Sequence, residues 1–208
     1  MSFLWEFVRS PLTVGAVAPS GRSLAGVATV PVPRSGAPVV VELGPGTGVF
    51  TAAIQERLAG RGRHVAVEVN ERFAARLARA HPGVDVAWAD ARDLAGVLAT
   101  RGLDRADVVV SGLPWAAFPP RAQGDVLGAV VAALPPHGVF TTFAYVHARW
   151  TAPARRLSRA LRDRFDEVVV GRTVWDNLPP ALVYHCRRPV PDPLYAGAVA
   201  PLTEGEPS

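Results

Sequence analysis

From residue 38 onward the chain repeats one unit five times: a short run rich in β-branched residues, then a longer segment of helical period. The runs are PVVVEL (38–43), RHVAVEV (63–69), VDVAWAD (84–90), ADVVVSG (106–112) and GVFTTFAY (138–145). The segments GVFTAAIQERLA, ERFAARLARA, RDLAGVLATRG, AQGDVLGAVVAAL and APARRLSRALRDRF follow them in turn, and Pro82-Gly83 stops the second. A run with little polar alternation has to be covered on both faces, which is the condition of a strand in a parallel sheet between helix layers. The alternation therefore predicts a doubly wound α/β fold and excludes bundles and sandwiches. Two late runs, DEVVVGRTVW (166–175) and ALVYHCRR (181–188), have no helix between them. The sheet is thus expected to be seven-stranded and mostly parallel, with a closing antiparallel strand and short N-terminal helices before it. Residues 1–37, 38–188 and 189–208 read as an N-terminal segment, the main domain and a loose tail rich in Pro, Gly and Ala.

Bulk composition narrows the class further. A chain of 208 residues suits one α/β domain, and 49% apolar against 19% charged residues excludes disorder over most of it. The lone Cys186 rules out an internal disulfide and fits a reducing cytoplasm. All 22 basic residues are arginine, and a net charge of +4 permits contact with phosphate-rich surfaces without demanding it. The most apolar stretch is cut by Pro135, Pro136 and His137, so no membrane span is expected. MSFLWEFVRS lacks a basic lead and a long apolar run, so it does not read as a secretion signal, and a cytoplasmic chain is expected. His64, His81, His137 and His185 show no ligand spacing, and no metal site is read.

The loop after the first run, ELGPGTG, sets Glu42, Gly44, Gly46 and Gly48 before a helix. Glycines there let a ligand lie against bare backbone. A dinucleotide fingerprint would need glycine at position 49, which is Val49. Glu68 closes the second run, where a carboxylate can accept ribose hydroxyls, and Asp90 ends the third, within reach of an adenine amino group. One loop and two acids at successive strand ends describe an adenosine site without a phosphate anchor.

ELGPGTG, VEVN and ADARDL together resemble the cofactor site of class I S-adenosylmethionine-dependent methyltransferases over roughly residues 38–187. The resemblance implies a Rossmann-like fold, with S-adenosylmethionine held at Glu42, Gly44, Gly46, Gly48, Glu68, Val69, Asp90, Ala91 and Ser111. A methyl on a sulfonium is already activated, so positioning supplies most of the acceleration and a site without a strong base is admissible.

The fourth run ends in SGLPWAAFP, which carries no acid, base or metal ligand. Enzymes that methylate exocyclic amines of adenine have Asn or Asp where this chain has Gly112, so an rRNA adenine substrate reads as less favoured. The loop resembles that of bacterial phospholipid N-methyltransferases, and RSPLTVGAVAPSGRSLA (9–25) and VWDNLPPALVYHCRR (174–188) resemble their opening and closing segments. That implies N-methylation of phosphatidylethanolamine or its methylated forms. Tyr145 and Ser111 then read as catalytic, and Trp5, Leu113, Pro114, Trp115, Tyr145, His147 and Asn177 as substrate contacts. Asn177 could equally be a turn residue before Pro179-Pro180. FLWEFV (3–8) presents an apolar face that could cover the pocket or rest peripherally on a membrane. Arg155, Arg159 and Arg162 could meet lipid phosphates or form a solvated helix face. Two other readings stay open: a methyltransferase for a hydrophobic small molecule, with tryptophans 5, 115, 150 and 175 lining the pocket, and a non-catalytic cofactor-binding protein.

Overall fold

In the computed structural model, which describes residues 21–190, the β-branched runs become the strands of one sheet. Trp5, the 3–8 segment and nearly all of the tail lie outside those residues. A short helix α1 (Arg22–Ala28) precedes β1 (Val39–Leu43). Then follow α2 (Val49–Leu58), β2 (Arg63–Glu68), α3 (Glu71–Ala80), β3 (Asp85–Trp88), α4 (Leu94–Ala99) and β4 (Val108–Ser111). The chain continues through α5 (Pro120–Ala133), β5 (Val139–Tyr145), α6 (Ala152–Arg164), β6 (Phe165–Val170) and β7 (Ala181–Pro189).

The seven strands form one sheet in the order β3-β2-β1-β4-β5-β7-β6. β1 to β5 pair in parallel, and β7 runs antiparallel to both of its neighbours. The closing antiparallel strand expected from the sequence is β7, which lies between β5 and β6. α6 carries the chain past β5 to the outer position of β6, and the 171–180 loop returns β7 into the space between. There its N–H and C=O groups find partners on both sides.

Two helix layers cover this sheet, as the uninterrupted apolar runs require. Leu94 and Val97 of α4, Val126 and Leu127 of α5, and Leu157 and Leu161 of α6 pack on one face. Leu24 and Ala28 of α1 with Ile54 and Leu58 of α2 pack on the other, where α3 adds Leu77 over Ala66. Strand parity divides side chains between the layers: Val41 and Leu43 of β1 join the first, Val40 the second. Each such leucine, buried fully, contributes about 1.5–3 kcal/mol. On α6, Arg155, Arg159 and Arg162 are exposed opposite buried Leu157 and Leu161. Cys186 is fully buried, and burial pushes its thiol up to about 12, which leaves it a packing residue.

α1 has seven residues, too few to be stable alone, so tertiary contacts hold it. Leu24 is fully buried, and the Thr141 hydroxyl donates to the Ala28 carbonyl at 2.9 Å. At its start the Gly21 N–H donates to Asn177 Oδ1 at 2.7 Å, Asn177 Nδ2 donates to the Pro179 carbonyl at 2.6 Å, and the Ser23 hydroxyl donates to Asp176. The segments at 9–25 and 174–188, set apart in the sequence, therefore meet here. Asn177 is 1% exposed with its amide engaged at both ends, the arrangement of the turn residue that was one of its two expected roles. Asn177→Ala leaves the Gly21 N–H without its acceptor and is expected to cost about 1–3 kcal/mol of unfolding free energy, read by urea denaturation. An unchanged midpoint would return Asn177 to a substrate-side role.

Candidate functional site

Because β1, β2, β3, β4 and β5 are parallel, their carboxyl ends share one edge of the sheet, and the loops that follow them converge there. Gly44, Gly46 and Gly48 all take left-handed φ values of 68°, 53° and 86°. At Gly46 a Cβ would meet nothing within 4 Å, so the backbone faces open space in a conformation that side-chain-bearing residues avoid. The Gly112 N–H donates to the Leu43 carbonyl at 2.8 Å, and a Cβ on Gly112 would lie 2.7 Å from the Gly44 carbonyl oxygen. This close approach explains the missing Asn or Asp at position 112: two loops cross where only bare backbone fits.

Glu42, on the α1–α2 side of β1, is fully buried. Its Oε2 accepts from the Thr51 hydroxyl at 2.7 Å and lies 3.2 Å from His64 Nε2, while Gln55 Nε2 lies 2.9 Å from His64 Nδ1. Its Oε1 has no hydrogen-bond partner among the described residues. Glu68, 5% exposed, accepts from the Asn70 N–H at 2.9 Å and the Gly46 N–H at 3.4 Å. Burial raises its pKa, against the lowering effect of these backbone donors. His64 and Gln55 were not legible as part of the site; His64 shares strand parity with Glu68 at i+4, which was the available signal.

Asp90 ends the third strand region as expected, with Ala91 buried behind it and the Val69 carbonyl accepting from the Trp88 indole at 3.1 Å. The sequence reading missed Arg92. Its Nε and Nη2 donate to Asp90 Oδ1 and Oδ2 at 3.0 and 2.7 Å, and the Arg92 N–H donates to Oδ1 at 2.9 Å. The hydrogen bonds to Asp90 raise the Arg92 pKa. Any adenine contact at Asp90 is thus made by an aspartate already oriented by a guanidinium fork.

In the β4 loop, Ser111 and Trp115 are engaged with each other. Ser111 is fully buried, and its Oγ accepts from Trp115 Nε1 at 3.1 Å and the Leu113 N–H at 3.3 Å. Trp115 is 2% exposed, with its ring 5.6 Å from Phe118 and 6.0 Å from Phe140. Beyond the end of β4 the chain turns back on the sheet, and Trp115 and Leu113 join the core under α4–α6, so the indole is spent on packing and the serine on fastening the loop. Leu113 is buried and Pro114 is half-exposed beside it.

Tyr145 lies on the opposite face of the sheet. Phe50, just beyond the glycine loop, packs 5.9 Å from Phe143, which packs 5.5 Å from Tyr145. The exposed His147 stacks on Tyr145 at 5.7 Å. The Tyr145 hydroxyl is buried without a hydrogen-bond partner among the described residues. Burial pushes its pKa up, so the phenol is neutral at physiological pH. The geometry groups Glu42, the glycine loop, Glu68 and Tyr145 along one edge, with Ser111, Trp115 and Asn177 as braces.

No family model matches the chain. An ornithine lipid N-methyltransferase of Singulisphaera acidiphila is 37% identical over 198 residues, covering 89% of this chain and 94% of that protein. The N-methyltransferase NodS from Bradyrhizobium japonicum superposes with a TM-score of 0.60 at 17% identity, covering 81% and 96% of the two chains. Human methyltransferase-like protein 13 in complex with SAH superposes with a TM-score of 0.59 at 20% identity, covering 84% and 87%. An rRNA methylase from Streptococcus thermophilus superposes at 0.57 with 13% identity, covering 80% and 93%. These structural likenesses speak to the fold.

The raised Glu68 pKa carries a sign. The folded chain holds that proton more tightly than the unfolded chain, so the contribution to stability is present at low pH and lost as pH rises through the raised value. Relative to Glu68→Gln, which does not titrate, the ligand-free protein is expected to lose stability as pH climbs from the ordinary glutamate range to neutrality. Urea unfolding of both proteins across that range measures the difference.

Proposed function

The chain belongs to the class I S-adenosylmethionine-dependent methyltransferases, in the group of its lipid N-methylating relative, and from that premise we propose that it N-methylates the headgroup amine of a membrane lipid. Phosphatidylethanolamine and its methylated derivatives are the favoured acceptors, with an ornithine-type aminolipid as the related substrate named by the relative. One observation carries the reading: the desolvated Tyr145 hydroxyl, unpartnered among the described residues, ends β5 on the edge where the glycine loop lies.

The residues fit the methyl donor. Glu42 offers a buried carboxylate oxygen without a donor, and Gly46 offers open, bare backbone. S-adenosylmethionine, when bound, supplies an electrophilic methyl on a cationic sulfur. In this reading Glu42 faces the amino-acid end and Glu68 accepts the ribose hydroxyls. Asp90, held by Arg92, and Ala91 with Val69 border the base. A lipid ammonium, with a pKa near that of lysine at about 10.4, must shed a proton before it can attack. Apolar surroundings lower that value, and Phe143 and Tyr145 provide them. The neutral phenol oxygen accepts one N–H of the amine and leaves its lone pair free to face the methyl group. His147, stacked on Tyr145 and exposed, offers the route for the proton to solvent. Ser111 acts indirectly by fastening Leu113 and Pro114, which border the acceptor.

On the small-molecule reading, tryptophans 5, 115, 150 and 175 could line an apolar pocket, and Trp5 lies outside the described residues. Trp115 is in the core, and Trp150 and Trp175 are 67% and 74% exposed, so this enclosure is lacking among the described residues. Gly112 has no room for the amine-accepting side chain of the adenine-directed enzymes.

Purified protein, methyl-labelled S-adenosylmethionine and vesicles containing phosphatidylethanolamine or ornithine lipid should yield label in the lipid extract. Label confined to non-lipid acceptors would overturn the proposal. Tyr145→Phe separates function from stability: kcat is expected to fall roughly ten-fold, about 1.4 kcal/mol. The melting temperature of the ligand-free protein should hold or rise, because a desolvated hydroxyl without a partner has been removed.

A further inference from the structure

Large apolar side chains exposed together on one surface mark an interaction site. The three most exposed among the described residues are Leu178 at 77%, Trp175 at 74% and Trp150 at 67%. They are separated in sequence but share one rim of the sheet. Trp150 follows the carboxyl end of β5, and Trp175 and Leu178 lie on the loop between β6 and β7. Tyr145 pairs with Ala181, Ala181 bridges to Val174, and the Val146 N–H donates to the Pro180 carbonyl at 2.9 Å. Those contacts tie the two loops together beside Tyr145, on the edge that carries the glycine loop.

Cations accompany the apolar groups. The Arg149 guanidinium lies 4.2 Å from the Trp150 ring centroid. Arg172 is exposed in the same loop as Trp175, and exposed Arg22 begins α1, which Asn177 ties to that loop through Gly21. None of these three arginines forms an ion pair among the described residues. Tryptophan rings with flanking arginines suit the headgroup layer of a bilayer, where the ring is half-solvated and the guanidinium meets phosphate.

We propose that this rim docks on an anionic phospholipid bilayer, with Trp150, Trp175 and Leu178 in the interfacial layer and Arg22, Arg149 and Arg172 against lipid phosphates. The choice of a bilayer as occupant rests on the lipid reading above. Docked this way, the protein brings Tyr145 to the headgroups without extracting a lipid. The surface does not include Arg155, Arg159 and Arg162 of α6.

Co-sedimentation of the full chain with vesicles of phosphatidylglycerol and phosphatidylcholine tests this directly. Those vesicles offer no acceptor amine, so the result is independent of whether lipid methylation is found. The wild type is expected to sediment with vesicles and to be released as salt is raised. The combined Trp150→Ser, Trp175→Ser, Leu178→Ser variant should bind at least ten-fold more weakly with an unchanged melting temperature. A triple variant that binds like the wild type overturns the proposal. So does a wild type that ultracentrifugation finds dimeric while the variant is monomeric, which would assign the rim to a second copy.

Discussion

The site depends on one contact, the crossing of the β1 loop and the β4 loop at Gly44 and Gly112. A Cβ at position 112 would come within 2.7 Å of the Gly44 carbonyl oxygen, and the Gly112 N–H is held by the Leu43 carbonyl at 2.8 Å. The glycine loop, proposed to hold the methyl donor, and the β4 loop, proposed to border the acceptor, are thereby kept at backbone distance. Transfer of an activated methyl needs little beyond alignment, so a rigid crossing is more useful than a strong base. Ser111 serves the same end from beneath, accepting from both Leu113 and Trp115 and locking the β4 loop to the aromatic cluster around Phe140.

Stability is given up along the same edge. Glu42 Oε1 and the Tyr145 hydroxyl are buried without hydrogen-bond partners among the described residues, and Glu68 bears a carboxylate whose pKa burial has raised. Buried polar groups are normally satisfied, and each exception costs free energy that the ligand-free fold does not recover. Glu42, Glu68 and Tyr145 lie near the carboxyl ends of β1, β2 and β5, the edge proposed to receive the polar and cationic groups of the ligands. The packing on both sides of the sheet, where leucines and valines are fully buried, supplies the offset.

Much of this was legible in local patterns. Runs such as PVVVEL announce strands covered on both faces, and glycines at 44, 46 and 48 announce a backbone that bends out of the ordinary region. Glu68 and Asp90 were readable because they end strands, and strand ends in a parallel sheet share an edge. The motif around Ser111 and Trp115 did not reveal that the serine hydroxyl accepts from the indole N–H and that the ring packs against Phe118 and Phe140, because those contacts depend on how the loop folds back. Arg92 escaped notice although it lies two residues from Asp90, since a surface arginine beside an acid carries no pattern of its own.

By itself, then, the sequence determined the layered sheet, the left-handed glycine loop after β1 and the strand-end positions of Glu68 and Asp90, because each follows from the periodicity or conformational freedom of neighbouring residues. Tertiary structure alone decided the insertion of β7 and the use of Asn177 as a clamp on Gly21, 156 residues away. It also decided the pairing of Glu42 with His64 and the gathering of Trp150, Trp175 and Leu178 on one rim. Those features rest on contacts between distant segments, where a side chain's face and partner are set by how the layers close, and no short stretch of sequence carries that information.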